Sequence, residues 1–194
     1  LKNNIIYFIM KNILIAGCGR LGARYLEGII KINDSLNIHI FDTSRKSIDR
    51  AENLIMNSKN LYNHKFYFHY KKIKKNLKFK ILIIASTADT RIKILKYLNS
   101  KISYKFCILE KVLSQKKLGK INELGFKNIN NVWVNTPRKI MPLYKKIRDI
   151  VDINEPLELS VEGVKWGVSC NGCHYIDLLH WMRKEAIIEI KDLN

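Results

Sequence analysis

The sequence predicts a doubly wound α/β domain built on a parallel sheet, followed by the opening of a second, α+β domain. Three observations carry this prediction. From residue 11 to residue 136 short apolar runs alternate with stretches of helical period. Several of those runs are apolar at consecutive positions, as strands covered on both faces are. The spacing between them accommodates right-handed crossover helices, which makes parallel βαβ units.

Taken in order, "KNILIAG" (11–17) is a buried strand ending in glycine, and "GRLGARYLEGIIKI" (19–32) is a helix with Leu21, Tyr25, Leu26, Ile29 and Ile30 on one face. "NIHIFD" (37–42) is a second strand, and "RKSIDRAENLIM" (45–56) a helix that turns Ile48, Ala51, Leu54 and Ile55 inward. "KFYFHY" (65–70) is a third strand. "KILIIAS" (80–86) is a fourth, followed by the helix "ADTRIKILKYLN" (88–99). "YKFCILE" (104–110) is a fifth strand, "KKLGKINELG" (116–125) a helix closing on Gly125, and "NVWVNT" (131–136) a sixth strand. After Pro137 the rhythm changes. "IMPLYKKIRDIV" (140–151) reads as a helix, "LELSVEGVKWGV" (157–168) as one strand or two, and "HYIDLLHWM" (174–182) as a helix that His174 begins. The expected division is therefore residues 10–137 for the first domain and 138–194 for the start of the second. Met10 before "KNILIAG" looks like a natural start, leaving residues 1–9 as an upstream extension or fragment end.

Charge and cysteines narrow the function classes. There are 35 Lys+Arg against 17 Asp+Glu, a net of +18, but the lysines are spread along the whole chain. Only "YKKIKKNLKFK" (70–80) is dense, and such a run reads first as a solvated face, so no specific nucleic-acid partner is expected. No stretch approaches the roughly 20 apolar residues of a membrane span, so no membrane partner is expected either. Lys11 and Asn12 interrupt the N-terminal apolar segment where a signal peptide is continuous, which points to a cytoplasmic protein. Four cysteines in a chain of 194 residues do not make a disulfide framework. Cys170-Asn171-Gly172-Cys173-His174 matches the C-x-x-C-H of haem attachment, yet it lies deep inside an α/β pattern. A zinc site would need a second ligand pair at suitable spacing, and none is present, so no metal is expected.

One motif has mechanical meaning. Gly17-Cys18-Gly19-Arg20-Leu21-Gly22 is G-x-G-x-x-G between a strand and a helix, and Asp42 follows at the end of the second strand. Gly17 permits the tight turn, Gly19 lets backbone approach a pyrophosphate, and Gly22 allows helix and strand to pack closely. The helix N-terminus, with Arg20 and Leu21, adds N–H donors and positive dipole. Asp42 can accept from ribose hydroxyls and repels a 2′-phosphate, so NAD is favoured. Ser44 and Arg45 keep NADP open, because an arginine there can pair with a phosphate. Cys18 then belongs to a phosphate loop.

Across residues 11–183 the chain resembles the Gfo/Idh/MocA family of oxidoreductases, on the glycine loop, "IIASTADTR", "ILEKVL", "NTPRKIMPLY" and "GCHYIDLLHWM". The last three blocks are most similar to a branch from surface-polysaccharide and sugar-nucleotide biosynthesis. The resemblance implies a Rossmann domain with a second, substrate-binding domain. It also implies an NAD(P)-dependent enzyme passing hydride between nicotinamide and a hydroxyl or keto carbon of a sugar, sugar nucleotide or cyclitol. Ser86, Thr87 and Ala88 would line the dinucleotide, as would Glu110. Lys111 would hydrogen-bond the reacting oxygen, and His174 would exchange its proton. Arg138, Asn171 and Asp177 would meet the small sugar-like substrate, with Asp177 either orienting the imidazole or capping local backbone. Two departures stand out: Val112 replaces the usual proline after Glu-Lys, and Cys170 stands where many relatives carry an aspartate. Relatives continue into a large antiparallel sheet that often forms a homo-oligomer interface, so this chain is expected to be an incomplete part of such a protein. The alternative is a dinucleotide-binding relative without turnover.

Overall fold

The computed structural model describes residues 11–59, 61–115, 124–126, 128–152, 155–165 and 167–183. The chain divides into two compact units at Val134/Asn135. Residues 1–9 and most of the helix expected over 116–125 lie outside the described residues, although Gly125 has the positive φ (+76°) of a helix-closing glycine.

The first unit is a six-stranded, all-parallel sheet in the order β3-β2-β1-β4-β5-β6. Its strands are β1 (Asn12–Ala16), β2 (Asn37–Asp42), β3 (Lys65–Tyr70), β4 (Lys78–Ile84), β5 (Ser103–Leu109) and β6 (Val132–Val134). Among the described residues three helices connect them: α1 (Arg20–Ile29), α2 (Arg45–Met56) and α3 (Ala88–Asn99). The order reverses between β1 and β4, so the chain winds outward in both directions from that seam.

Strand period explains why β1 is apolar from Ile13 to Ala16. Successive side chains point to opposite faces. Ile13 and Ile15 join Leu26, Ile29, Ile38, Ile40, Ile48, Ala51 and Ile55 in the layer under α1 and α2. Leu14 and Ala16 join Phe79, Leu82, Ile84, Leu95, Leu98, Cys107 and Leu109 in the layer under α3. Fully burying one such Leu or Ile is worth about 1.5–3 kcal/mol, so β1, buried on both faces, is the central strand. Leu21, expected on the inner face of α1, is instead 42% exposed, because the helix presents its first turn to the loop end rather than to the core.

A part-buried polar column, with His39 at its buried end, stands on the β2–β3 side. His39 Nδ1 lies 2.9 Å from His69 Nε2, and the His39 ring stacks on Tyr67 at 4.5 Å and meets Phe79 edge-on at 5.0 Å. Burial, with the His69 ring beside it, pushes the His39 pKa down to about 4.

In the second unit a short 3-10 turn (Pro137–Ile140) leads into α4 (Pro142–Ile150), and α5 runs over Val168–Arg183. Two expectations are corrected here. The described residues of segment 157–168 form no strand, since a strand must pair its N–H and C=O groups with a neighbour and the described residues of this unit supply none. And α5 begins before Cys170, so Cys170, Asn171, Cys173 and His174 lie inside a helix rather than on a loop before it. Gly172 costs about 1 kcal/mol relative to alanine there, which a long helix tolerates. No described helix is long and apolar enough to cross a membrane.

Candidate dinucleotide site

Parallel pairing brings the ends of four strands level. Ala16 is in register with both Phe41 and Ile84, and Ile84 with Leu109. The residues just beyond this level register therefore gather at one edge of the sheet: Gly17, Asp42 as the last residue of β2, Ala85–Ser86 and Glu110. The ladder even continues into them, through Gly17 N–H to Phe41 O (2.8 Å), Ala85 N–H to Ala16 O (2.8 Å) and Glu110 N–H to Ile84 O (3.0 Å). This is the carboxyl edge, where ligands of open α/β sheets bind.

The three glycines of the loop do different work. Gly17 has φ +89°, and a Cβ on it would lie 2.7 Å from Ser86 N, so only glycine fits against the β4 loop. A Cβ on Gly22 would lie 1.9 Å from Gly17 O, so the helix can start this close to β1 only without a side chain. Around Gly19 nothing lies within 4 Å of where a Cβ would be. That open cradle sits at the N-cap of α1, where no side chain caps the helix. The free N–H groups of the first turn are thus left to face a ligand. Arg20 and Leu21 occupy that turn and are exposed. The site fits a pyrophosphate-bearing dinucleotide on this ground.

Asp42 closes one side. Its Oδ2 accepts from Cys18 N–H at 2.7 Å and its Oδ1 from Ser44 N–H at 2.8 Å, so the carboxylate is pinned beside the loop with lone pairs to spare. Arg45, one residue into α2, turns away from it: its Nε donates to Asp49 at 2.8 Å and Nη2 lies 3.8 Å from Glu52. On the other side, Ser86 Oγ is buried and has no hydrogen-bond partner, which is the state of a hydroxyl awaiting one. Thr87 and Ala88 begin α3, with Thr87 exposed at the N-cap. Glu110 is buried, 3% exposed, and its Oε1 accepts from the Tyr25 hydroxyl at 2.6 Å. Lys111 follows, half-buried, and the peptide bond after it is cis.

In the second unit, Arg138 donates to the Tyr144 hydroxyl at 3.2 Å and lies 4.2 Å over the Tyr175 ring. Lys139 Nζ pairs with Asp177 Oδ1 at 3.1 Å, which gives Asp177 a cationic partner that the sequence reading did not foresee. Asn171, His174 and Asp177 all project from α5. His174 and Asp177, three residues apart, are neighbours on the helix surface.

The cysteines sort by burial. Cys18 and Cys107 are fully buried, and desolvation raises both thiols to about 12. Cys170 is exposed and Cys173 half-buried, and neither is in a disulfide. Ellman's reagent is therefore expected to modify Cys170 first in the native protein, and Cys18 and Cys107 only after unfolding. Rapid reaction at Cys18, read by mass spectrometry, would overturn this account of the loop. Among the described residues no group of three or more His, Cys, Asp or Glu is placed to hold a metal ion.

Two functional-site contacts escaped the sequence reading. Tyr25 looked like a core residue, but its hydroxyl serves Glu110. Arg91, a charged residue to which the sequence analysis gave no role, is 2% exposed and donates to Ser86 O and Val112 O. The one available signal was its spacing, i, i+4, i+7 with the buried Leu95 and Leu98.

The order of strands, the glycine turn and the acidic residue closing β2 together define a Rossmann-like α/β fold. Solved structures share it. The chain is similar to a myo-inositol dehydrogenase from Corynebacterium glutamicum, at a TM-score of 0.55 and 15% identity over 89% of this chain and 55% of that one. A protein provisionally assigned as a myo-inositol dehydrogenase, from Sinorhizobium meliloti, matches at a TM-score of 0.62 and 15% identity, over 90% of this chain and 56% of that one. Another, provisionally assigned as an NADPH-dependent oxidoreductase from Desulfitobacterium hafniense, matches at 0.57 and 15% identity, over 89% and 55%. The chain thus spans about half the length of these proteins. No family model matches the sequence, and no curated protein does.

Proposed function

We propose that this chain is the dinucleotide-binding part, with the start of the substrate-binding part, of an NAD(P)-dependent oxidoreductase. Its substrate would be a sugar, sugar nucleotide or cyclitol, converted between hydroxyl and ketone. The observation that carries the reading is the open cradle at Gly19 between two glycines that cannot bear a side chain, with Asp42 fixed beside it. The Gfo/Idh/MocA resemblance and the fold shared with dehydrogenases support it.

When bound, the nicotinamide supplies the hydride donor or acceptor. The chain's own residues bind, orient and move protons. Gly17 to Gly22 and the α1 N-terminus receive the pyrophosphate. Asp42 accepts from ribose hydroxyls, and its charge disfavours a 2′-phosphate. Because Arg45 is already engaged by Asp49 and Glu52, NAD is favoured over NADP. Ser86, Thr87, Ala88 and Glu110 line the remainder. Lys111 hydrogen-bonds the reacting oxygen and stabilises developing negative charge. His174 takes the hydroxyl proton or returns it, as an imidazole ring nitrogen can by general acid–base catalysis. Arg138, Asn171 and Asp177 contact the substrate.

Titration with NADH and NADPH, followed by nicotinamide fluorescence, tests this. Saturable binding with NADH preferred is expected, and Asp42→Ala should weaken NADH at least tenfold, the loss of a charged hydrogen-bond acceptor being worth about 1.5–3 kcal/mol. A folded protein that binds neither nucleotide would sink the proposal.

A further inference from the structure

The dinucleotide has two halves, and the topology assigns each a side. Asp42 ends β2, so the ribose it serves lies on the β2 side of the β1–β4 seam. The other half must cross the seam to the loops that follow β4 and β5. Those two loops come from strands joined by α3; Gly17 packs against the first of them, and what ties the first to the second lies on α3.

Arg91 of α3 is placed to do so. It is 2% exposed, and its guanidinium forks, with Nη2 donating to Ser86 O at 2.5 Å and Nη1 donating to Val112 O. One rigid planar group thereby joins the β4 loop to the β5 loop. Burying a guanidinium is costly without a counter-charge. Burial does lower the proton affinity of Arg91, and the Glu110 carboxylate, followed by Asp89, works against that loss. Glu110 is itself buried and tied through Tyr25 to α1, the helix that the glycine loop opens. A leucine at position 91 would fill a core site at far lower cost, so the charge calls for a use.

We propose that Arg91 is a positioning residue for the nicotinamide half of the dinucleotide, a role that rests on the dinucleotide reading above. It sets the backbone of Ser86 and of Lys111–Val112 at one separation by bonding both carbonyls. It touches neither cofactor nor substrate. Arg91→Lys keeps the charge but lacks the planar fork, so it cannot hold two carbonyls in the same geometry.

The test uses the full chain and two ligands, NADH and ADP, the latter offering only the adenosine half. In Arg91→Lys, NADH is expected to bind at least tenfold more weakly and ADP within twofold of the wild type. Amide hydrogen exchange is expected to rise in residues 86–88 and 111–113 while residues 17–22 keep their protection. Arg91→Gln, read in the same way, serves if the lysine variant does not fold. Equal weakening of both ligands, with exchange raised throughout the sheet, would make Arg91 ordinary core and overturn the proposal. So would unchanged NADH affinity. A wild-type protein that binds neither ligand removes the dinucleotide reading and this role together, whereas wild-type binding left intact in both variants removes the role of Arg91 alone.

Discussion

Gly22→Ala is expected to lower the stability of the first unit by about 3 kcal/mol, the upper end of overpacking costs, or to prevent its folding. The added Cβ would sit 1.9 Å from Gly17 O and 2.9 Å from Gly17 C, and both are backbone atoms. No rotamer change relieves such a clash, so α1 must back away from β1. That movement strips contacts from Leu26 and Ile29, which pack in the layer that β1 and β2 share. Gly19→Ala makes the control. Its Cβ meets nothing, and its φ of −66° is open to any residue, so the loss of stability should stay below about 1 kcal/mol, the scale of N-cap effects. NADH affinity should nonetheless fall at least tenfold, because the methyl takes the space that a phosphate needs. Urea denaturation and NADH titration on the same two proteins separate these outcomes. If Gly19→Ala were as destabilising as Gly22→Ala, the division of labour within the loop would be wrong.

Acid is expected to destabilise the first unit between pH 6.5 and pH 4, before most carboxylates protonate. In the unfolded chain His39 has an ordinary pKa near 6.5, whereas in the fold it is held down to about 4. Between those values the unfolded state binds the extra proton and the folded state does not, so stability rises with pH across the window. The contribution of His39 is fully present above pH 6.5 and is lost as the pH falls toward 4. Its size is on the order of 2 kcal/mol, allowing for partial relaxation around the ring. His69 acts in the same direction, since burial first and Lys74 second lower its pKa as well. His39→Phe cannot titrate and keeps the stacking with Tyr67 and Phe79. Urea midpoints at pH 7 and pH 5 should therefore differ less in His39→Phe than in the wild type. An equal difference in both proteins would show that other groups govern the acid response.

The first unit was legible because its elements are set by periodicity alone. The helices over 45–56 and 88–99 begin and end where the sequence predicts, and β1 and β2 follow from apolar runs that only double burial explains. The glycine loop was legible too, since backbone geometry dictates its residues. What escaped were contacts made by side chains of mixed character. Tyr25 has an apolar ring and a polar tip, so helical spacing reported only the ring. Arg91 is buried because two carbonyls and a carboxylate compensate it, and those partners are 5, 21 and 19 residues away. In the second unit, segment 157–168 alternates as a strand does, yet strand formation depends on a neighbour that local sequence cannot report. The start of α5 was hidden by Gly172 and by a cysteine pattern that reads as a loop.

The strand order leaves β3 at one rim of the sheet, with Tyr67, Phe68 and Tyr70 each more than a third exposed. Among the described residues no strand covers that rim, and an uncovered row of backbone donors and acceptors flanked by aromatics is a template for pairing with a second copy, rim to rim. Lys65 begins that strand, and Lys71, Lys72, Lys74 and Lys75 follow it, with Lys71 lying 4.9 Å over the Tyr70 ring. Two such rims would have to bring their lysines together, and the Coulomb cost keeps them apart. The densest charge in the sequence thus acts as a guard on this edge strand. It weakens as salt shortens the reach of the repulsion to about 10 Å at 0.1 M and about 3 Å at 1 M.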